Sequence, residues 1–206
     1  ALLAKVSAST ANTSITILGG AFQKAIGKGY LIGNPFEDLE SAEGEAAEKR
    51  PFTLEELKAL LAVCNTEWRS MTLFGLYTGQ RLSDIAGLTW GQIDTERGTV
   101  SFLTGKTKRR MELPIAGALA SHIATLRRGF PTATVHPEAE RALRTSGKAG
   151  TLSRRFNEIL AQAGLVQKMK HRKAEERDGN RRTVNALSFH SLRHTAATWL
   201  RDVGTS

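Results

Sequence analysis

Apolar residues recur at helical spacing along most of this chain and alternate at strand spacing in only one short region. Ile15, Leu18, Phe22 and Ile26 fall three to four apart, which predicts a helix over residues 10–29. Gly27 and Gly29 weaken its end, and Asn34-Pro35 stops any continuation. One helix cannot bury its own apolar face, so residues 1–36 are expected to be the C-terminal remnant of an upstream helical domain. Residues 37–50 carry Glu37, Asp38, Glu40, Glu43, Glu45 and Glu48 among Ala, Ser and Gly. Like charges with little to bury predict an extended acidic linker there. A second domain, residues 51–206, opens at Thr53-Leu54-Glu55-Glu56, whose Thr and Glu stand three apart as in a capping box at a helix start.

The second domain continues in helices. Leu54, Leu57, Leu60, Leu61 and Cys64 make one apolar stripe. Met71, Leu73, Phe74, Leu76 and Tyr77 are nearly continuous, which suits a buried helix, and Thr78-Gly79 stops it because Gly accepts the left-handed conformation of a helix end. Leu82–Leu88 reads as another short helix, and Trp90 and Ile93 as core. Thr99–Leu103 and Met111–Pro114 alternate and predict two strands of a hairpin. Helices are expected again over 115–128 and 151–163, the latter ending at Gly164. The fold class is therefore α+β, mostly helical, with a small antiparallel hairpin or sheet. No internal repeat is visible.

Charge changes this picture. The formal net charge is +9. Residues 1–60 hold six Lys/Arg against eight Asp/Glu, so the remainder carries +11. Such asymmetry points to a polyanion, nucleic acid before membrane. Glu138–Arg155 and Lys168–Arg182 are basic, and the second stretch, nearly without apolar residues, is expected to be a mobile loop that orders on phosphates. No run approaches the length of a membrane span. The start of the chain lacks the charged and apolar regions of a signal peptide. It also lacks an initiator Met, which points to a piece of a longer protein. Cys64 is the only cysteine, which excludes a disulfide framework and a Cys-based metal site and fits the cytoplasm.

The chemistry concentrates in Ser188–Leu200. At 3.6 residues per turn, Leu192, Ala196, Trp199 and Val203 share one side, expected to face the core. His190, Arg193, His194 and Ala197 share the other. A guanidinium grips two phosphate oxygens, and an imidazole holds or passes a proton near neutral pH. His190 and Arg193, three apart, can therefore serve one phosphodiester. His190 and His194 also have the spacing of helical zinc ligands, but that motif carries Glu directly after the first His, where this chain has Ser191. Upstream, Arg81 sits at a turn between two buried helices, with Asp84 placed to orient it. The hairpin tip, Thr104–Arg110, holds Lys106, Lys108, Arg109 and Arg110. Four cations so close repel one another, and an anion would relieve this. Burial among positive neighbours would lower a Lys pKa and make it a better proton donor.

Thr78-Gly79-Gln80-Arg81, a hairpin bearing Lys106, and His190-Ser191-Leu192-Arg193-His194-Thr195 follow one another in the order and element types of the tyrosine site-specific recombinases, the phage integrase family, which the chain resembles over about residues 10–206. The resemblance implies a DNA breaking-rejoining catalytic domain that needs no metal or cofactor. In that family a Tyr attacks a DNA phosphodiester, giving a 3′-phosphotyrosyl link and a free 5′-hydroxyl. It implies that Arg81 and Arg193 offset charge on the phosphorus and that Lys106 protonates the leaving oxygen, with Lys108 as the alternative. His190 would assist at the nucleophile, and Asp84 and His194 would support. Arg109, Arg110, Arg154, Arg155, Lys170, Arg172, Lys173, Arg181 and Arg182, with Lys108, would hold the backbone of double-stranded DNA, and the whole protein would act as a homo-tetramer on paired sites in the nucleoid. The family's nucleophile follows the His-x-x-Arg helix, and no Tyr does so here; Tyr30 and Tyr77 lie far upstream. A module that binds DNA without cutting it is the main alternative, and a type IB topoisomerase-like enzyme a more distant one.

Overall fold

A computed structural model describes residues 8–43, 49–103, 110–146, 150–168, 185–202 and 204. The chain divides into two units, the first containing Ala1–Glu48 and the second Lys49–Met169 with Asn185–Ser206. In the first, helix α1 runs over Ala8–Gly27, two residues earlier than its periodicity predicts. The chain then turns back along it. Asn12 and Ala42 exchange two hydrogen bonds between side-chain amide and backbone, at 3.0 and 2.7 Å. The Asn34 amide donates to the Gly19 carbonyl, and the rings of Phe22 and Phe36 pack 5.2 Å apart. Residues 37–43 form no helix or strand, yet the pair of bonds at Ala42 fastens them to α1 rather than leaving them free.

The second unit begins with the capping box read from its sequence. The Thr53 hydroxyl accepts from the Glu56 N–H, and the Glu56 carboxylate accepts from the Thr53 N–H. Helix α2 follows over Leu54–Val63. Asn65 caps α3, Thr66–Thr78, which ends at Gly79 in the left-handed conformation with φ 60°. Arg81 opens the short α4, Leu82–Ala86. A 3-10 turn at Trp90–Gln92 leads into a three-stranded antiparallel sheet of β1 (Ile93–Asp94), β2 (Thr99–Leu103) and β3 (Arg110–Pro114), in that order. The hairpin register pairs Leu103 with Arg110 and Val100 with Leu113. Helices α5 (Gly117–Thr125), α6 (Pro137–Ser146), α7 (Gly150–Gln162) and α8 (Phe189–Asp202) complete the unit. This is the mostly helical α+β class expected, with a small sheet. Among the described residues no helix is long and apolar enough to cross a membrane.

Helix α3 is the centre of the core. Its Met71 and Phe74 are fully buried, together with Leu60, Ile85, Phe156 and Leu192 from neighbouring elements. It lies so close to α8 that a Cβ on Gly75 would stand 2.8 Å from the Phe189 ring. Glycine there lets the two helices meet. A short strap at the start of the unit is bonded to α8 and the residues before it. The Arg50 N–H donates to the Ala186 carbonyl, and the buried Phe52 N–H donates to the Thr195 hydroxyl at 2.8 Å. Arg50 and Glu56 form a two-pronged pair at 2.8 and 2.6 Å, which holds the Glu56 carboxyl below its ordinary range. Because the Phe52 N–H is buried, Thr195→Val is expected to destabilise the protein by about 1–3 kcal/mol, the cost of a buried donor left without its acceptor. Urea unfolding of the two proteins measures this, and a change within about 0.5 kcal/mol would mean that the strap is not held by this bond.

Three expectations need correction. Leu54 is 54% exposed, because it is the first residue of α2 and precedes the turn that faces the core. On α8 the buried residues are Phe189, Ser191, Leu192 and Thr195, whereas Trp199 is 36% exposed. Two small hydroxyl residues occupy the inner face because each has a backbone partner there, which a count of apolar residues cannot register. Helix α6 was not anticipated within the basic stretch starting at Glu138. Pro137 is its first residue, and its terminal N–H groups are capped by a carboxylate from another helix. The Glu138 and Ala139 N–H groups donate to Glu67 of α3 at 3.1 and 2.6 Å. Burial nevertheless raises the Glu67 pKa above its ordinary value.

Candidate functional site

The turn between α3 and α4 carries the first half of the site. Thr78 closes α3 by donating to the Phe74 carbonyl, and the Gln80 side chain donates back to the Thr78 carbonyl. Gly79 reverses the chain, and Arg81 emerges half exposed at the start of α4. Its guanidinium lies 3.9 Å from the Asp84 carboxylate, which is 7% exposed. The Asp84 carboxylate thus faces Arg81 from the core side, while about half of the Arg81 side chain remains exposed.

The second half comes from α8. Ser191 and Thr195 point inward: the Ser191 hydroxyl accepts from the Ser188 N–H, and that of Thr195 donates to the Ser191 carbonyl. The same rotation leaves His190, Arg193 and His194 exposed. Arg193 reaches across the turn and donates from Nη1 to the Gly79 carbonyl at 3.2 Å, between residues 114 apart in sequence. Its Cγ lies 3.6 Å from where a Gly79 Cβ would stand. The rings of His190 and His194 meet edge to face, 5.0 Å apart. Partial burial lowers the His190 pKa first, and the neighbouring His194, Arg193, Arg81 and Lys49 lower it further. His190 is therefore held toward its neutral form in a ring of positive charge. Such a group can take a proton, and an anion at the site would raise its basicity.

The structure thus brings Arg81, Asp84, His190, Arg193 and His194 into one region. Lys49 belongs with them electrostatically and was missed by the sequence reading. Its ammonium donates to the Asn185 carbonyl just ahead of α8, a contact between residues 136 apart that no local pattern announces. Arg110 lies at the exposed start of β3, and Arg154 and Arg155 are exposed on α7. Lys106, Lys108, Arg109, Lys170, Arg172, Lys173, Arg181 and Arg182 lie outside the described residues, as does the basic loop expected over most of Lys168–Arg182. Among the described residues no three His, Cys, Asp or Glu side chains are grouped to hold a metal ion. Of the two tyrosines, Tyr30 is exposed in the first unit, while Tyr77 packs against the core from α3.

This helical domain, with two arginines and a histidine converging from a glycine turn and a late helix, has the make-up of a tyrosine recombinase catalytic domain. The model of the phage integrase family matches residues 50–206, and the chain belongs to that family. It is 30% identical to the integrase of Escherichia phage P2 over 123 residues, which is 59% of this chain and 36% of that protein. Its fold matches lambda integrase bound to DNA with a TM-score of 0.69 and 20% identity, covering 96% of this chain and 67% of that one. It also matches the Tn1549 transposon integrase in complex with transposon right end DNA, with a TM-score of 0.71 and 17% identity, covering 98% and 69%. The chain spans well under half the length of the curated relatives it matches.

Proposed function

We propose that this chain is the strand-cutting part of a site-specific DNA recombinase that works through a 3′-phosphotyrosyl intermediate, with the nucleophile supplied from outside these 206 residues. The observation that carries the reading is the reach of Arg193 to the Gly79 carbonyl. That contact places its guanidinium beside the turn that presents Arg81, with His190 on the adjoining face of α8. Two forked donors presented beside one turn suit the non-bridging oxygens of a phosphodiester whose charge grows as the phosphorus becomes five-coordinate. In this reading His190 assists proton transfer at the attacking oxygen. Lys106 protonates the leaving 5′-oxygen, with Lys108 as its alternative, and Asp84 and His194 orient the groups that act. No metal or cofactor is required, because the bond energy is kept in the protein–DNA link.

The partner is double-stranded DNA, held along its backbone by Arg110, Arg154, Arg155 and the cations of the hairpin tip and the basic loop. Residues 1–36 belong to a core-binding domain, and the linker expected over 37–50 gives way to the catalytic domain at Lys49, because Lys49 and Arg50 are already bonded to Asn185 and Ala186. The complete protein acts as a homo-tetramer on paired sites. The support for DNA as partner is the charge of the second unit and the DNA seen with lambda integrase and the Tn1549 integrase.

The complete gene product is expected to form a covalent adduct on a nicked duplex that traps the cleaved strand. Absence of an adduct, with duplex binding retained, would leave a binding module in place of an enzyme. The 206-residue chain itself is expected to bind duplex DNA with an affinity that falls as salt rises, at a log–log slope near −0.9 per phosphate neutralised. A flat salt response would show that the basic surface does not hold the DNA backbone.

A further inference from the structure

One buried titratable group has no part in the chemistry above. His136 is completely buried, and both ring nitrogens are engaged. Nδ1 lies 2.9 Å from the Ile85 carbonyl on α4, and Nε2 lies 2.9 Å from the Ser70 hydroxyl on α3. A carbonyl can only accept, so Nδ1 carries the proton and Nε2 accepts from Ser70. The pair is no nucleophile, since Ser70 is itself buried in the core. The ring stands edge-on to Phe74 at 5.5 Å.

The backbone around His136 is fastened to the same two helices. Val135 donates to the Leu88 carbonyl just beyond α4, and Trp90 donates to the Ala133 carbonyl. One residue past His136, α6 begins with its N–H groups on Glu67 of α3. On the far side, the Ile85 N–H donates to the Arg81 carbonyl at 3.0 Å. Hydrogen bonds therefore link Ser70 through the His136 ring to the Ile85 carbonyl, and Ile85, through its own N–H one peptide unit earlier, is bonded to the backbone of Arg81. These bonds span the two helices that flank the Thr78–Arg81 turn.

We infer that His136 is a positioning residue for Arg81: by bridging Ser70 on α3 and Ile85 on α4, it sets the angle between the two helices and so the place from which the Arg81 guanidinium meets a phosphate. The inference rests on the reading of Arg81 as a phosphate ligand. A purely space-filling role would be met by any ring of similar size. A positioning role needs the donor to Ile85, which an Asn amide nitrogen can replace from nearly the place of Nδ1 and a Phe cannot.

The test compares the parent chain with His136→Asn and His136→Phe. Each is examined by thermal unfolding, by the NMR resonances of the Arg81 backbone amide and side-chain Nε–H, and by affinity for a short duplex DNA. His136→Phe is expected to unfold cooperatively, to shift both Arg81 resonances and to weaken DNA binding by about tenfold, the loss of one charge-assisted contact. His136→Asn is expected to restore the Arg81 resonances and most of the affinity. With Arg81→Ala already present, His136→Phe should cost no further affinity. Arg81 resonances unmoved in His136→Phe, or moved equally in both variants, would overturn the inference. So would failure of His136→Phe to fold, if the folded Asn variant then showed displaced Arg81 resonances. A parent chain that binds no DNA would overturn the functional reading instead, and the Arg81 resonances would still decide the role of His136.

Discussion

Replacing Arg193 by alanine in the complete gene product is expected to slow strand cleavage by about 10²–10³-fold, the usual cost of removing one preorganised donor aimed at developing charge. The expectation follows from how the side chain is held. One N–H of the guanidinium is used on the Gly79 carbonyl, which fixes the plane of the group, and the remaining donors of the fork stay available for a phosphate. Arg193→Lys should recover only part of the loss. An ammonium keeps the charge, but it cannot hold the carbonyl and present two parallel donors at once. The measurement is single-turnover adduct formation on a nicked duplex, with thermal unfolding as the control. Arg193 is exposed, so its removal should leave the fold intact. A loss below about tenfold would take Arg193 out of the reacting centre.

Acidification gives the second large effect. Burial is the main cause that lowers the His136 pKa from 6.5 to about 4. Between those values the unfolded chain binds a proton that the folded chain refuses, so stability is full above pH 6.5 and is lost as pH falls toward 4. The difference corresponds to about 3 kcal/mol. His122 and His190 are shifted in the same direction and add to the loss. Glu67, whose pKa is raised, opposes it near the ordinary carboxylate range, and Glu56, whose pKa is lowered, adds to the loss below that range. Urea midpoints at pH 7, 5.5 and 4.5 for the parent and for His136→Asn separate these contributions. The slope that disappears with the imidazole belongs to His136. Parallel slopes in the two proteins would show that His136 is as easily protonated folded as unfolded.

What could be read from the sequence was local. The Thr53/Glu56 box, the Gly79 stop, the β2–β3 pairing and the exposed trio on α8 each arise from residues within a turn or a hairpin of one another. Their spacing is itself the signal. The inner face of α8 was misread because Ser191 and Thr195 are buried through hydrogen bonds, and hydropathy places hydroxyl residues outside. Helix α6 had local signals, Pro137 at its start and Ala139, Ala142 and Leu143 at helical spacing, which its dense charge obscured; only its cap, Glu67, 71 residues upstream of Glu138, was beyond reach of any local pattern. His136 is silent for the same reason, its partners lying 66 and 51 residues away. The meeting of Arg81 with Arg193 was not deducible from spacing either; it followed from family resemblance, and the bond to the Gly79 carbonyl supplies its physical cause.

The strap at Lys49–Phe52 also bears on how this domain can be recombined with others. Three donors within four residues reach Asn185, Ala186 and Thr195, so the entry of the chain is tied to the helix that carries His190 and Arg193. A chimera joined upstream of Lys49 leaves these bonds whole and should inherit the arginine geometry unchanged. A junction placed inside the four residues would shift the register of the donors and tilt α8, whatever sequence was grafted in front. The boundary between the two units therefore falls ahead of Lys49, several residues before the first turn of α2.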